Sequence, residues 1–407
     1  MNAKKYLEIA LGIVTSVGGF LEVGSIATAA QAGASYGYQL IWPIVFGTIC
    51  LIFLIEMSGR LAAISHHPLP AAVRERFGFH YFVVPLVAET LVDFLVLASE
   101  IGGACLALQL LTGVPFRWFA PGVALLAWAL LWYGNFSVVE YGVSLLGLIT
   151  IVFIVAAFKL HPQWAQVAGG LVPTAPSHDP AHYYFLAVSI LGATISPYLF
   201  NFYSSGAVED KWDESHLTPN RITAFLGMGF GGTISVAVLI AAAATLHPRN
   251  IDITRYEQVA LITAIPLGKW GYYLMAIGLF IACLGATLEI GLDISYVFSQ
   301  AFGWNWGENQ KPADATRFST VFTAFIFLAS ILIFIGIDPL KLTLFSMAVT
   351  TVILPLIVLP FLVLMNDKNY VGEHTNGRIG NTVVFMVIIL AALLAIVAIP
   401  LEILGGS

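Results

Sequence analysis

Apolar residues in this chain come in long unbroken runs, separated by short polar segments. Runs lie near residues 9–32, 39–64, 81–111, 119–134, 138–160, 183–205, 221–246, 270–300, 317–337, 340–365 and 381–404. Each approaches or exceeds the roughly 20 apolar residues that a helix needs to cross a bilayer. The pattern predicts an all-α membrane protein of about eleven transmembrane helices. The fourth and fifth spans are separated only by Tyr133 to Val138. No connection is long enough for a soluble domain, so residues 1–407 are read as one transmembrane domain.

Two of the runs are interrupted. In the first, Gly18-Gly19-Phe20-Leu21-Glu22-Val23-Gly24-Ser25 places glycines and an acid at mid-membrane. In the sixth, Gly192-Ala193-Thr194-Ile195-Ser196-Pro197-Tyr198 places a proline there. Proline removes a backbone donor and clashes with the preceding turn, and glycine lowers the cost of unwinding. Unwound backbone at that depth must line a cavity or be buried in protein. The breaks occupy corresponding positions of two five-helix halves, the pattern that marks a transporter's central site. This divides the chain into a first repeat over about 9–160, a second over about 183–365 and an extra helix over about 381–404.

Composition supports the bilayer as solvent. The chain is 59% hydrophobic and 10% charged, against about 25% charged in soluble domains. A net charge of −6 gives no electrostatic basis for a nucleic-acid partner. Lys4 and Lys5 precede an apolar run as in a signal peptide, but no small-residue cleavage site follows and the run continues through Ala30, so it is read as a membrane helix. Eleven Lys and Arg fall on the side of the N-terminus and six (Arg117, Lys159, Arg249, Arg255, Lys269, Lys341) on the other. That bias places the N-terminus in the cytoplasm, as an integral multi-pass protein of a prokaryotic plasma membrane.

Carboxylates at bilayer depth are costly and mark function. The candidates are Glu22, Glu56, Glu89, Asp93, Glu100, Glu289 and Asp293. Glu22 stands out because it sits on a break, where carbonyl oxygens beside a carboxylate suit a cation. Glu89, Asp93 and Glu100 share one face of the third span, as a proton or water path or a polar seam between helices. Glu289 and Asp293 repeat the four-residue spacing in the eighth span. The nine histidines lie in loops or at span ends, and Cys50, Cys105 and Cys283 read as buried packing residues. Gly227-Met228-Gly229-Phe230-Gly231-Gly232 fits a dinucleotide fingerprint in form, but inside a span it predicts close helix packing. The sequon Asn135-Phe136-Ser137 falls on the cytoplasmic side. No nucleophile–base arrangement appears, so an enzyme is not expected.

These segments resemble a known family. Gly18 to Trp42, GGFLEVGSIATAAQAGASYGYQLIW, is similar to the first helix of the Nramp divalent-metal transporters, whose core motif is D-P-G-N. Ser99 to Pro115 is similar to their third helix, and Leu191 to Ser205 to the sixth, where the family reads L-G-A-T-x-M-P-H. Asn366 to Arg378 resembles the segment before the last helix. The resemblance implies an inverted repeat with the site between the first and sixth helices, and a divalent metal as transported substrate rather than cofactor.

Carried over by position, the family's aspartate falls on Glu22, its proline on Val23 and its asparagine on Ser25. The sixth-helix methionine falls on Ser196 and the histidine on Tyr198, with backbone carbonyl ligands near Gly19 and Ala193. Glu22, Ser25 and Ser196 are the expected metal ligands, and Tyr198 and Asn201 their supporting groups. An oxygen-only set argues for a hard ion such as Mg2+ or Mn2+. The third-helix aspartate falls on Leu97 while its glutamate remains as Glu100, and a second sixth-helix histidine falls on Tyr203. These changes argue against family-type proton coupling. The chain is therefore expected to act, as a monomer, as a secondary transporter or uniporter of a divalent cation by alternating access. Rival readings are the same fold carrying an organic solute, or a non-transporting membrane sensor.

Overall fold

In the computed structural model, residues 22–134 and 147–405, with Gly142 and Leu145, are described. The described chain is helical: α1 (Val23–Tyr36), α2 (Ile41–Ser65), α3 (Phe79–Thr112), α4 (Ala120–Tyr133), α5 (Val152–Lys159), α6 (Pro180–Thr194), α7 (Pro197–Glu209), α8 (Gly229–Thr245), α9 (Leu261–Phe302), α10 (Thr316–Phe334), α11 (Pro339–Leu364) and α12 (Arg378–Gly405). Among the described residues, eight helices are long and apolar enough to cross a membrane, with α6 and α7 counted as one interrupted span. Shorter apolar helices cover 148–159 and 378–393. Each expected span thus contains a described helix over at least part of its length, and the described residues alone do not count to eleven. Gly18 to Leu21 and the sequon at Asn135 lie outside the described residues.

Local chemistry explains where helices stop. His66 takes a left-handed conformation at the end of α2, with its N–H donating to Ala62. Asp338 starts α11 by accepting from the N–H groups of Leu340 and Lys341. The eighth span is longer than expected: α9 begins at Leu261 and bends at Gly268, whose φ of 69° and ψ of −152° are open to glycine. Pro266 lies just before that bend, so the apolar run read from 270 is the straight part of a longer, kinked helix.

Between membrane helices the hydrophobic effect offers little, and close packing does more. Gly33 of α1 lies against the Leu239 backbone of α8, and Gly232 of α8 against Thr48 of α2. Within the glycine stretch Gly232 thus serves close helix packing, while Gly229 has open space beside it. Cys50, Cys105 and Cys283 are buried and unpaired. Val87, Leu91, Phe225 and Phe385 point outward as exposed apolar side chains, the pattern of a lipid-facing perimeter. The long helices α3 and α9 lie along each other at the centre, and α11 packs against α3, α6 and α12.

One candidate acid is removed from the centre by this packing. Glu56 pairs with Arg60 at 3.0 Å and Arg221 at 3.4 Å. Arg60 also donates to Asn376 Oδ1 at 2.8 Å and to the His374 carbonyl. Glu56 therefore belongs to a network that ties α2 to the segment before α12.

Candidate functional site

The sixth span is broken in the way its sequence requires. Pro197 has no N–H, so the carbonyl of Ala193, four residues earlier, loses its helical donor. Ile195 leaves helical geometry (φ −117°, ψ 61°) and Ser196 is extended. The Ser196 hydroxyl donates to the Gly192 carbonyl at 3.0 Å. Gly192 itself lies against the Met347 carbonyl of α11, where no Cβ fits.

In the first span, Glu22 is extended (φ −113°, ψ 171°) and caps the start of α1. Its backbone N–H donates to Ser25 Oγ at 3.3 Å, and that hydroxyl donates to the Glu22 carbonyl at 3.0 Å. Ser25 thus serves locally as a cap. The new helix N-terminus meets Glu100 of α3: Val23 N–H donates to both carboxylate oxygens, at 3.0 and 3.2 Å. A carboxylate there complements both the unpaired N–H groups and the helix dipole.

The two breaks face each other. Tyr198 Oη donates to Glu22 Oε2 at 2.9 Å, and the Ser196 side chain also faces that carboxylate. Glu22 is 1% exposed, and its Oε1 has no hydrogen-bond partner among the described residues. A Cβ on Gly24 would come within 3.1 Å of Glu22 Oε1 and 2.8 Å of Met347 Sδ. A thioether and an open carboxylate oxygen therefore flank one point beside the break.

The expected residues separate into two groups. Glu22, Ser25, Ser196, Tyr198 and Ala193 gather at the meeting of α1, α6 and α7. Glu100 joins them, because it anchors the α1 N-terminus instead of continuing the stripe of Glu89 and Asp93. Asn201 does not reach Glu22; its Nδ2 donates to Glu89 Oε1. Glu89 and Asp93 of α3 meet Asp293 of α9, with ligand atoms within 4.8 Å of one another. Tyr203 joins neither group and donates to Asn220 Oδ1 at 2.9 Å. Gly19 lies outside the described residues.

Met347 was missed by sequence reasoning. It sits in Thr343 to Thr351 of the tenth span, a stretch rich in hydroxyls, which is the only signal it carries. Its buried sulfur arrives beside Gly24 from another helix and was not among the residues read from the sequence.

A multi-pass helical protein in which a broken helix meets the N-terminus of another at a buried mid-membrane carboxylate has the architecture of a secondary transporter. The chain belongs to the natural resistance-associated macrophage protein-like (Nramp) family, whose profile matches residues 12–400. It is 29% identical over 377 residues to the divalent metal cation transporter MntH of Deinococcus radiodurans, covering 88% of this chain and 82% of that protein. It is 24% identical to MntH of Caldanaerobacter subterraneus, covering 92% and 89%. Its fold matches a mutant of the Eremococcus coleocola manganese transporter with a TM-score of 0.79 at 19% identity, covering 98% of this chain and 87% of that one. It also matches Mhp1, a nucleobase-cation-symport-1 family transporter, with a TM-score of 0.64 at 14% identity, covering 96% and 92%. At such identities these structures speak for the fold alone.

Proposed function

We propose that this protein carries a divalent metal cation across the membrane by alternating access, with Glu22 as its charged ligand. The observation that carries this reading is the buried Glu22 carboxylate on the helix break, with one oxygen held by Tyr198 and the other open beside Met347. The Ala193 carbonyl and the Ser196 hydroxyl supply further oxygens, and Gly19 and Ser25 lie on the other side of the site in sequence. Carboxylate, carbonyl and hydroxyl oxygens suit a hard ion, while a thioether favours a transition metal. Mn2+ satisfies both, and relatives described as divalent metal cation transporters support the assignment.

Transport is uncoupled from protons in this reading. Leu97 occupies the family's aspartate position, and Glu100 is engaged by the α1 N-terminus. The two five-helix repeats, about 9–160 and 183–365, move against each other around the fixed site. The chain works as a monomer in a prokaryotic plasma membrane, its N-terminus in the cytoplasm as the Lys and Arg distribution favours.

Purified protein in liposomes, with dyes for Mn2+ and pH inside, tests this. Saturable Mn2+ uptake without lumenal acidification, lost in E22Q, is expected. Absence of Mn2+, Mg2+ and Ca2+ uptake by the wild-type protein rejects it.

A further inference from the structure

We propose that Glu89, Asp93 and Asp293, with Asn201, form a second divalent-cation site separate from the one at Glu22. The three acids come from two helices, α3 and α9, that pack along each other through the centre of the bundle. Their ligand atoms lie within 4.8 Å of one another, and they are 4%, 1% and 0% exposed. Among the described residues none of the three enters an ion pair with Lys, Arg or His. Three carboxyl groups brought this close in a low-dielectric interior can all stay ionised only with a cation among them.

The polar groups point to a cation. Both oxygens of Asp93 and both of Asp293 lack a hydrogen-bond partner among the described residues. Asn201 of α7, 2% exposed, turns its amide into the cluster through Glu89, and its Oδ1 also has no partner. Buried oxygens are normally satisfied by donors; here four carboxylate oxygens of Asp93 and Asp293 and the amide oxygen of Asn201 have none among the described residues. A carboxylate accepts a metal as readily as an N–H, and an amide oxygen is an ordinary ligand for hard divalent ions. The donors are oxygens only, so the class is Mg2+, Mn2+ or Ca2+, with water filling the remaining positions.

The position gives the site a use. Asp93 lies two helical turns before Glu100, about 10 Å along α3, toward the end that leads to Gly78. Asp293 lies on the half of α9 that leads to Gly303. Asn201 follows Tyr198 by three residues, so one face of α7 touches both sites. An ion leaving Glu22 toward the side of Gly78 and Gly303 would meet the second site next. The inference does not rest on the assignment at Glu22, because none of its ligands is shared.

The test is calorimetric titration of Mn2+ into the detergent-purified full chain. Two ions per chain are expected for the wild-type protein, and one each for E22Q and for the double variant D93N/D293N. A D93N/D293N protein that binds as many ions as wild type, with the same affinities, overturns the second site. If E22Q keeps both ions while D93N/D293N loses one, the Glu22 assignment fails and the second site stands. Crystals of the wild-type protein soaked in Mn2+ give a readout free of folding effects. An anomalous peak among Glu89, Asp93 and Asp293 supports the site; a peak at Glu22 with none there overturns it.

Discussion

The two acidic regions touched by α7 differ in how their charge is met. At the helix breaks, Glu100 receives the Val23 N–H and Glu22 receives the Tyr198 hydroxyl. At the cluster, among the described residues, Glu89 receives the Asn201 amide alone, and the oxygens of Asp93 and Asp293 receive no donor. Donors at the first region fix one carboxylate in place and leave a single oxygen open. Their absence at the second leaves a set of acids that a bound charge would organise. One bundle thus contains a carboxylate fixed by donors and, a few residues along α7, a set of acids met by almost none.

The largest expected effect comes from E22Q, which keeps the shape and removes the charge. Losing one partner of a buried charge pair costs about 3–5 kcal/mol. Mn2+ affinity at the break should therefore fall by about two to four orders of magnitude in calorimetry. An unchanged affinity would mean that the preorganised region is not the ion site.

Tyr198→Phe keeps the ring and removes the hydroxyl that donates to Glu22 Oε2. Hydrogen bonds to charged groups contribute about 1.5–3 kcal/mol, so Mn2+ binding at the break should weaken by about tenfold or more. Binding at the cluster should stay as it is, and equal losses at both would erase the distinction. Gly192→Ala acts on packing, since a Cβ there runs into the Met347 carbonyl. Overpacking of this kind costs about 1–3 kcal/mol, read as a lower melting temperature in detergent. Unaltered melting would show that the contact between α6 and α11 yields freely.

The smallest effect concerns a carboxylate in water, the contrast to both regions. Asp213 lies on a connecting segment and is held down at about 2 by hydrogen bonds from Ser215 and His216. Its contribution to stability is complete above the ordinary value of 3.8 and is lost as pH falls through about 2. D213N should remove that slope from acid melting curves and leave neutral stability nearly unchanged.

Much of this protein was legible in one dimension. Apolar runs longer than a bilayer is thick can only be membrane helices, because backbone polar groups in lipid must be satisfied within the helix. Pro197 and Gly192 fixed a break in the sixth span through a missing donor and a missing Cβ, both covalent facts. Glu22 was conspicuous because an acid at that depth needs a reason. Family patterns then assigned positions across nearly the whole chain.

Tertiary structure decided which of the remaining residues meet. Glu100 has the spacing to share a face with Glu89 and Asp93, yet it turns to the α1 N-terminus because Val23 offers an unpaired N–H there. Asn201 sits one turn beyond Tyr198 but reaches a different acid. Asp293 and Met347 come from helices far along the chain, and no local pattern reports their partners. Periodicity specifies the direction in which a side chain leaves its own helix; only the packing of helices against one another specifies what it encounters. The sequence by itself determined a membrane bundle with a broken, acidic centre, and the fold decided that this centre contains a sulfur and lies next to a second group of acids.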